Sequence, residues 1–304
     1  MKTISLMLLL ALSSSTWACD LCGGVGANAS LGLMAGTRFH TFGLQTSCRQ
    51  FNGYINQITH AKGYLFTEEV TFRWQALPRL QVYGFAPVVQ NVYKETFDTQ
   101  FQQGLGDVRV LVNCIVYSHR DTTGANLSFL SLGYGLKFAT GQFAPSQSMY
   151  TNLYPGTGST DQLFLMQGFQ RISSSIGIQA EASFALKGAN NSGYRFGNST
   201  QASVQLTHNQ SIKNKRLLAH AGIVYDHFNS NKTNGILLPE GQNNEGFITS
   251  SKMGCMLIGH QFMVSTSFQA PLIQQLNAGQ TKLRWSAQLN FQFLIQKKKS
   301  QHEK

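Results

Sequence analysis

The chain is poor in charge. Only 12% of its 304 residues are Asp, Glu, Lys or Arg, about half the share of an ordinary globular domain. Hydrophobic residues reach 42%, yet beyond the N-terminus no run of eighteen apolar residues occurs. That excludes a membrane-spanning helix. Also missing are a Gly-x-Ser-x-Gly elbow, a His-Glu-x-x-His pair and a phosphate-binding glycine loop. None of the eight histidines is followed two positions later by Ser, the spacing that puts base and nucleophile on one face of a strand. The sequence therefore carries no enzyme signature and no cofactor motif.

What it does carry begins at Met1. A basic Lys2, an apolar run from Ile4 to Leu12 and a small-residue end at Thr16-Trp17-Ala18 form a secretory signal layout. The run is too short to cross a bilayer as a helix. An N-terminal core helix is the bland alternative, and the length disfavours it. The mature chain then starts at Cys19. A lipid anchor on Cys19 fits poorly with Thr16 and Trp17 before it. Export places the cysteines in an oxidising compartment, where Cys19 and Cys22 read either as a disulfide or as a weak metal-ligand pair. Cys114 and Cys255 sit in apolar strand patterns and read as buried or lipid-facing small hydrophobes. The net charge of +11 lies partly in Lys297-Lys298-Lys299. With export and no aromatic-basic motif, nucleic acid is excluded as a partner, and a solvated basic end facing anionic lipid head groups is the plain reading.

Period-two alternation decides the fold class. Ile176, Ile178, Ala180, Ala182, Phe184 and Leu186 alternate with Ser175, Gln179, Glu181, Ser183 and Lys187. Val108, Val110, Val112, Cys114 and Val116 alternate with Arg109, Asn113 and Tyr117. Leu283, Trp285, Ala287, Leu289, Phe291, Phe293 and Ile295 alternate with Lys282, Arg284, Ser286, Gln288, Asn290 and Gln292. Successive side chains of a strand point to opposite faces, so one face suits lipid and the other water. These segments exceed the five or six residues of an average soluble strand and match tilted membrane strands.

The reading is an all-β, antiparallel, up-and-down transmembrane barrel of about twelve strands. They are expected at 41–51, 64–76, 80–91, 104–117, 126–138, 160–170, 173–186, 198–210, 217–228, 247–258, 261–270 and 282–295. Short connections are expected at 77–79, 119–125, 171–172, 211–216 and 259–260, and long ones at 52–63, 92–103, 139–159, 187–197, 229–246 and 271–281. Short periplasmic turns, long outer loops and an even strand count are the rule for outer-membrane barrels, which puts both termini in the periplasm. The chain thus divides into a signal at 1–18, a cysteine-containing segment at 19–40, the barrel at 41–296 and a basic tail at 297–304. Residues 19–40 read as a cap, a plug or an extra strand. Trp74, Trp285, Tyr83, Tyr117 and Tyr134 fall near strand ends, where aromatic girdles and ordinary strand packing are equal readings.

Three motifs then carry a family resemblance. Gly104-Leu105-Gly106-Asp107-Val108-Arg109-Val110 resembles the Gly-Leu-Gly-Asp strand start of the outer-membrane channel family named for the MetA pathway of phenol degradation. Tyr134 to Gly141 resembles that family's Gly-Leu-Lys-x-x-Thr-Gly strand end, and Gly156-Thr157-Gly158-Ser159-Thr160-Asp161 its Gly-Thr-Gly-Ser-x-Asp opening. Cys19-Asp20-Leu21-Cys22-Gly23-Gly24 is similar to the Cys-Asp-x-Cys-Gly-Cys start of related transporter-like barrels, with Gly24 in place of the third cysteine. The resemblance implies an outer-membrane channel or transporter for small molecules, and the leading reading is a channel for small solutes, hydrophobic ones included. The alternative is a non-conducting barrel that binds a partner protein or metal through its N-terminal segment or loops. In physical terms the motif glycines and aspartates read first as turn and register devices.

Charges expected inside the barrel are Glu69, Arg73, Asp107, Arg109, Lys137, Glu181 and Arg284. They either brace the wall in pairs or line a passage and set its selectivity. The partners implied are outer-membrane lipid and a small solute.

Overall fold

The computed structural model describes residues 39–55, 58–95, 98–122, 126–143, 154–238 and 245–295. The expected signal, the Cys19 and Cys22 pair, the segment 27–38 and the tail at 297–304 lie outside the described residues.

The strands are β1 (His40–Ile55), β2 (Ile58–Leu77), β3 (Leu80–Glu95), β4 (Thr99–Leu105), β5 (Arg109–Arg120), β6 (Asn126–Lys137), β7 (Asp161–Arg171) and β8 (Ile176–Leu186). There follow β9 (Tyr194–Arg195), β10 (Ser199–Ile212), β11 (Lys215–Phe228), β12 (Lys232–Thr233), β13 (Ile236–Leu237), β14 (Gly246–Ile258), β15 (Phe262–Leu276) and β16 (Thr281–Ile295). Each barrel strand pairs antiparallel with its neighbour, and β1 closes on β16 with His40 opposite Ile295. β4 and β5 both pair with β3 and form one interrupted wall strand, so the closed barrel has twelve strands. β9, β12 and β13 make a small separate sheet over the long connections.

The alternation read from sequence is the alternation of the wall. On β6, Leu130, Leu132 and Tyr134 are exposed on the outer face while Phe129, Ser131 and Lys137 are buried inside. Cys114 and Cys255 are exposed on the outer face. Closure pairs the ladder of every strand, which is what a membrane demands of a sheet.

Five short connections share one end with the two ends of the barrel chain, and six connections share the other. Three stretches expected as long loops are different. Residues 52–63, 92–103 and 271–281 are mostly strand: β1 runs to Ile55 and β2 starts at Ile58, β3 runs to Glu95 and β4 starts at Thr99, and β15 runs to Leu276 with β16 starting at Thr281. These hairpins continue the wall past the membrane band: Gly53 pairs with Ala61, Tyr93 with Gln100 and Leu276 with Thr281. Their sequences do not alternate regularly, although single large apolar side chains such as Phe101 and Ile273 are exposed on them.

The expected strand at 104–117 is broken at 106–108. Its cause sits opposite, in β3. Pro87 has no N–H and cannot donate to the ladder, and the pairing jumps from Val88↔Leu105 to Phe85↔Arg109 across it. Gly106 N–H still donates to the Pro87 carbonyl at 2.9 Å. The interruption frees Asp107 to turn inward.

Candidate functional site

The three motifs meet in space. Asp107, in the strand break, accepts hydrogen bonds from Gly141 N at 2.9 Å and Thr157 N at 2.9 Å. Thr157 Oγ1 donates to the same carboxylate at 2.7 Å. Lys137 Nζ lies 3.0 Å from Asp107 Oδ2 and 2.8 Å from Asp161 Oδ2, and also bonds Thr157 Oγ1. Lys187 Nζ reaches Asp161 at 3.3 Å. Asp161 Oδ1 accepts from Ser159 Oγ at 3.0 Å and Gly188 N at 3.0 Å.

Two acids and two bases thus form a buried node of zero net formal charge at the long-connection end of the barrel. It pins both ends of the 138–160 connection to the wall. Gly141 and Gly156 pack backbone to backbone beside it: a Cβ on Gly156 would lie 2.6 Å from the Gly141 carbonyl carbon. No side chain fits there.

Glu69, Arg73, Arg109 and Glu181 also face inward. Arg109 pairs with Glu69 across β3 and stacks its guanidinium 4.9 Å over the Phe85 ring. Arg73 donates to the Phe39 carbonyl through Nη2 at 2.7 Å and Nε at 3.2 Å. It therefore grips the chain where it enters the first strand. Glu181 accepts from Gln167 Nε2 at 2.9 Å and interacts with Lys252.

Arg284 does not join them. It is exposed on the outer side of the hairpin that ends the wall. The reason is a register shift between Gln50 and Phe51 opposite Leu283 to Trp285, which reverses the phase of β16 above it. Leu283 is accordingly buried at 5% exposure rather than lipid-facing. Trp285 donates to Gln50 Oε1 at 2.5 Å. Tyr83 is likewise buried inside and bonds Gln81 Oε1 at 2.6 Å, so it is no girdle residue. Trp74, Tyr117 and Tyr134 are exposed outside.

Sequence reasoning passed over the inward charges Asp226 and Lys252, half-buried and buried within the wall, and Asp226 interacts with Arg49 and Lys252. Asp161, read as a motif residue, and Lys187, read on a polar strand face, are buried as well. The missing signal is clean alternation in β14, where Ile248, Ser250, Lys252 and Met256 are all inward and buried. Apolar and polar residues share that face, so polarity does not report it. Glu69, Asp107 and Asp161 are in ion pairs with Arg109, Lys137 and Lys187, and Glu181 and Asp226 interact electrostatically with Lys252. With Arg49 and Arg73 counted, the inward bases slightly outnumber the inward acids among the described residues.

At least four apolar groups point into the barrel among the described residues; two of them, Tyr83 with Phe85, Leu111 and Leu165, and Ile115 with Phe129, line β3 and β5–β7. At the long-connection end Phe51, Leu65, Ile248, Leu276 and Leu283 form one buried cluster, with Phe228 packed against it. Near the short-turn end Met256, Met263 and Leu294 form another.

Among solved structures, similarity lies with outer-membrane barrels. An outer membrane channel from Pseudomonas putida F1 superposes with TM-score 0.62 at 12% identity, covering 85% of this chain and 96% of the other. The β domain of the Bordetella autotransporter BrkA gives 0.53 at 9% identity, covering 85% and 100%. The translocator domain of NalP from Neisseria meningitidis gives 0.51 at 11% identity, covering 87% and 91%. The fold is that of an outer-membrane barrel. No family model matches the sequence, and no curated protein does. The likenesses to solved structures show the fold alone; what the structure adds for the three motifs is that they meet around Asp107.

Proposed function

We propose that this chain is an outer-membrane channel for small uncharged solutes with apolar character. The observation that carries this reading is the apolar cluster of Phe51, Leu65, Ile248, Leu276 and Leu283 turned into the mouth of the barrel. Barrel interiors are ordinarily polar. Apolar side chains there repel ions and favour solutes that lose little on leaving water. Pairing of the interior carboxylates supports the same reading, because an acid set beside a base exerts less field on a passing ion than an isolated charge. Short turns and both ends of the barrel face the periplasm, and the outer face of Leu130, Leu132 and Tyr134 meets lipid. The resemblance to the MetA-pathway channel family agrees.

A second reading rests on one specific observation. Gln81, Asn113 and Ser131 are inward yet 0% exposed, as expected of a filled barrel. Such a barrel would not conduct and would act through its N-terminal segment, with Cys19 and Cys22 as candidate ligands for a metal or contacts for a partner protein.

Single-channel recording of the refolded protein in planar bilayers separates the two. Discrete steps, together with liposome uptake of an uncharged aromatic such as benzyl alcohol, are the expected result. Silence from protein whose heat-modifiable migration shows a folded barrel would overturn the channel reading in favour of the second.

A further inference from the structure

One stretch of the inner wall carries more hydrogen-bonding capacity than the protein uses. Gln179 on β8 is 1% exposed, and neither its amide nitrogen nor its amide oxygen has a hydrogen-bond partner among the described residues. Gln205 on β10 stands directly opposite it in register, 2% exposed, with a free Oε1. His220 on β11 is next, opposite Thr207, with a free Nδ1. Ser250 on β14 adds a free hydroxyl oxygen at 1% exposure. Buried polar groups are nearly always satisfied within a fold. Unpartnered atoms occur elsewhere in the wall too, Asn113 Oδ1 and Gln292 Oε1 among them, but here four residues that carry them stand on adjacent strands and face the lumen, and Gln179 has both amide atoms unpartnered.

The backbone beneath them is shaped to hold them. Gly222 lies between Gln205 and Lys252 in register, and Gly254 lies opposite His220. A Cβ on Gly254 would sit 2.5 Å from His220 Nε2. The glycine is the seat on which the imidazole rests, and it fixes which ring edge meets the lumen. Charge does not dominate the spot. Lys252 and Glu181 both face it and interact with each other, and Asp226 and Arg49 compensate further along the wall.

We propose that this wall of β8, β10, β11 and β14 is a binding subsite for the neutral hydrogen-bonding group, a hydroxyl or carboxamide, of a permeating solute. The proposal rests on the channel reading for its solute but not on conduction for its test. Two primary amides offer donors and acceptors together, and a neutral imidazole adds one of each. A carboxamide or hydroxyl can use both kinds; a hydrocarbon can use neither. A carboxylate offers only acceptors, and it would bring a further charge out of water into a wall whose acids already face Lys252 and Arg49. The apolar mouth would admit the solute's hydrocarbon part, and the amide wall would hold its polar end.

The test is equilibrium dialysis of benzamide, with toluene and benzoate beside it, against full-length protein in nanodiscs, with empty nanodiscs as blank. Saturable benzamide binding is expected in the wild type, with weaker retention of toluene and benzoate beyond the blank. The Gln179→Leu/Gln205→Leu variant is expected to lose about tenfold in benzamide affinity while toluene is unchanged, the effect of one or two lost neutral hydrogen bonds. His220→Leu, which removes the imidazole and leaves Gly254 in place, is expected to weaken benzamide in the same direction. Where the double variant does not give a heat-modifiable barrel, Gln179→Met and Gln205→Met singly replace it. Equal affinity in wild type and variants, or no saturable benzamide binding, overturns the subsite. Binding without conductance would overturn the channel and leave the subsite standing.

Discussion

Lys137 places its ammonium between two carboxylates from different motifs, 3.0 Å from Asp107 Oδ2 and 2.8 Å from Asp161 Oδ2. One lysine at the end of β6 thus ties the break before β5 to the start of β7. All three side chains are buried, with at most 7% exposure. Removing one partner of a buried ion pair leaves the other charge uncompensated, typically at a cost of about 3–5 kcal/mol. Lys137→Met is therefore expected to lose about that much stability, read from urea unfolding of barrels refolded into phospholipid vesicles. Lys187 still reaches Asp161 at 3.3 Å, so the exposed debt falls on Asp107. Lys137→Met/Asp107→Asn should recover part of the loss. A single variant within about 0.5 kcal/mol of wild type would show that the node does not hold the wall together.

The backbone contact beside the node makes a separate prediction. The Gly156 backbone lies so near Gly141 that a Cβ would meet backbone carbon at 2.6 Å. Backbone on both sides cannot yield as a side-chain tip can. Gly156→Ala is expected to pry the long connection from the wall and to expose Asp107. Limited proteolysis should then cut within 138–160 faster than in wild type. Gly235→Ala is the control for loop substitution in general, since a Cβ there meets nothing within 4 Å, although its φ of +83° adds strain. Equal cleavage in Gly156→Ala and wild type would remove the contact from the account.

Arg109 and Glu69 pair inside the lumen, whereas Arg284 stands outside it. In a conducting barrel, Arg109→Gln would leave Glu69 uncompensated and turn the reversal potential in a salt gradient toward cations. Glu69→Gln would turn it toward anions, and the double variant would return close to wild type. Arg284→Gln is expected to change neither. A shift with Arg284→Gln as large as that with Arg109→Gln would contradict the inward and outward assignment of these two arginines.

Much of this was legible in the sequence, and the failures have physical causes. Ile176 to Leu186 alternates without a flaw because its strand faces lipid on one side and a polar interior on the other. Glu69, Arg73, Lys137 and Glu181 follow that phase and are inward. Arg284 broke from it because a bulge at Gln50 and Phe51 shifts the phase of the neighbouring strand, and a bulge is a property of the pair rather than of either sequence. The hairpins at 52–63, 92–103 and 271–281 were illegible for a related reason. Beyond the membrane a strand no longer needs an apolar stripe, and it is kept by its partner: a Cβ on Gly53 would meet the Tyr93 hydroxyl at 3.3 Å. Asp107 was visible as a motif residue, but its link through Lys137 to Asp161 and Lys187 depends on the register of the neighbouring strands β5 to β8, which the sequence does not show.

The outer face can be checked directly at Cys114, which is exposed between Val112 and Val116 on β5. With the remaining cysteines changed to alanine, a nitroxide on Cys114 attached before refolding should lie in hydrocarbon. Its relaxation is expected to be accelerated strongly by oxygen and weakly by a water-soluble nickel complex. The reverse order would place β5 with its other face outward, and with it Arg109, Leu111 and Asn113.

The apolar mouth makes the last prediction. Leu276 is 0% exposed and packs against Phe51, Leu65, Ile248 and Leu283 where the wall strands leave the membrane. An apolar constriction opposes ions by excluding water rather than by charge. Leu276→Ser puts a hydroxyl into that cluster and removes methyl groups from it. Large-to-small changes of this kind typically cost about 2–5 kcal/mol, so the barrel should unfold at lower urea. At the same time water should enter the cluster more readily, and single-channel conductance for potassium chloride should rise. Stability and conductance then move in opposite directions, which neither a simple folding defect nor a purely structural cluster produces. A fall in stability with unchanged conductance would mean that the cluster braces the wall without narrowing the path, and the solute preference drawn from it would have to be abandoned.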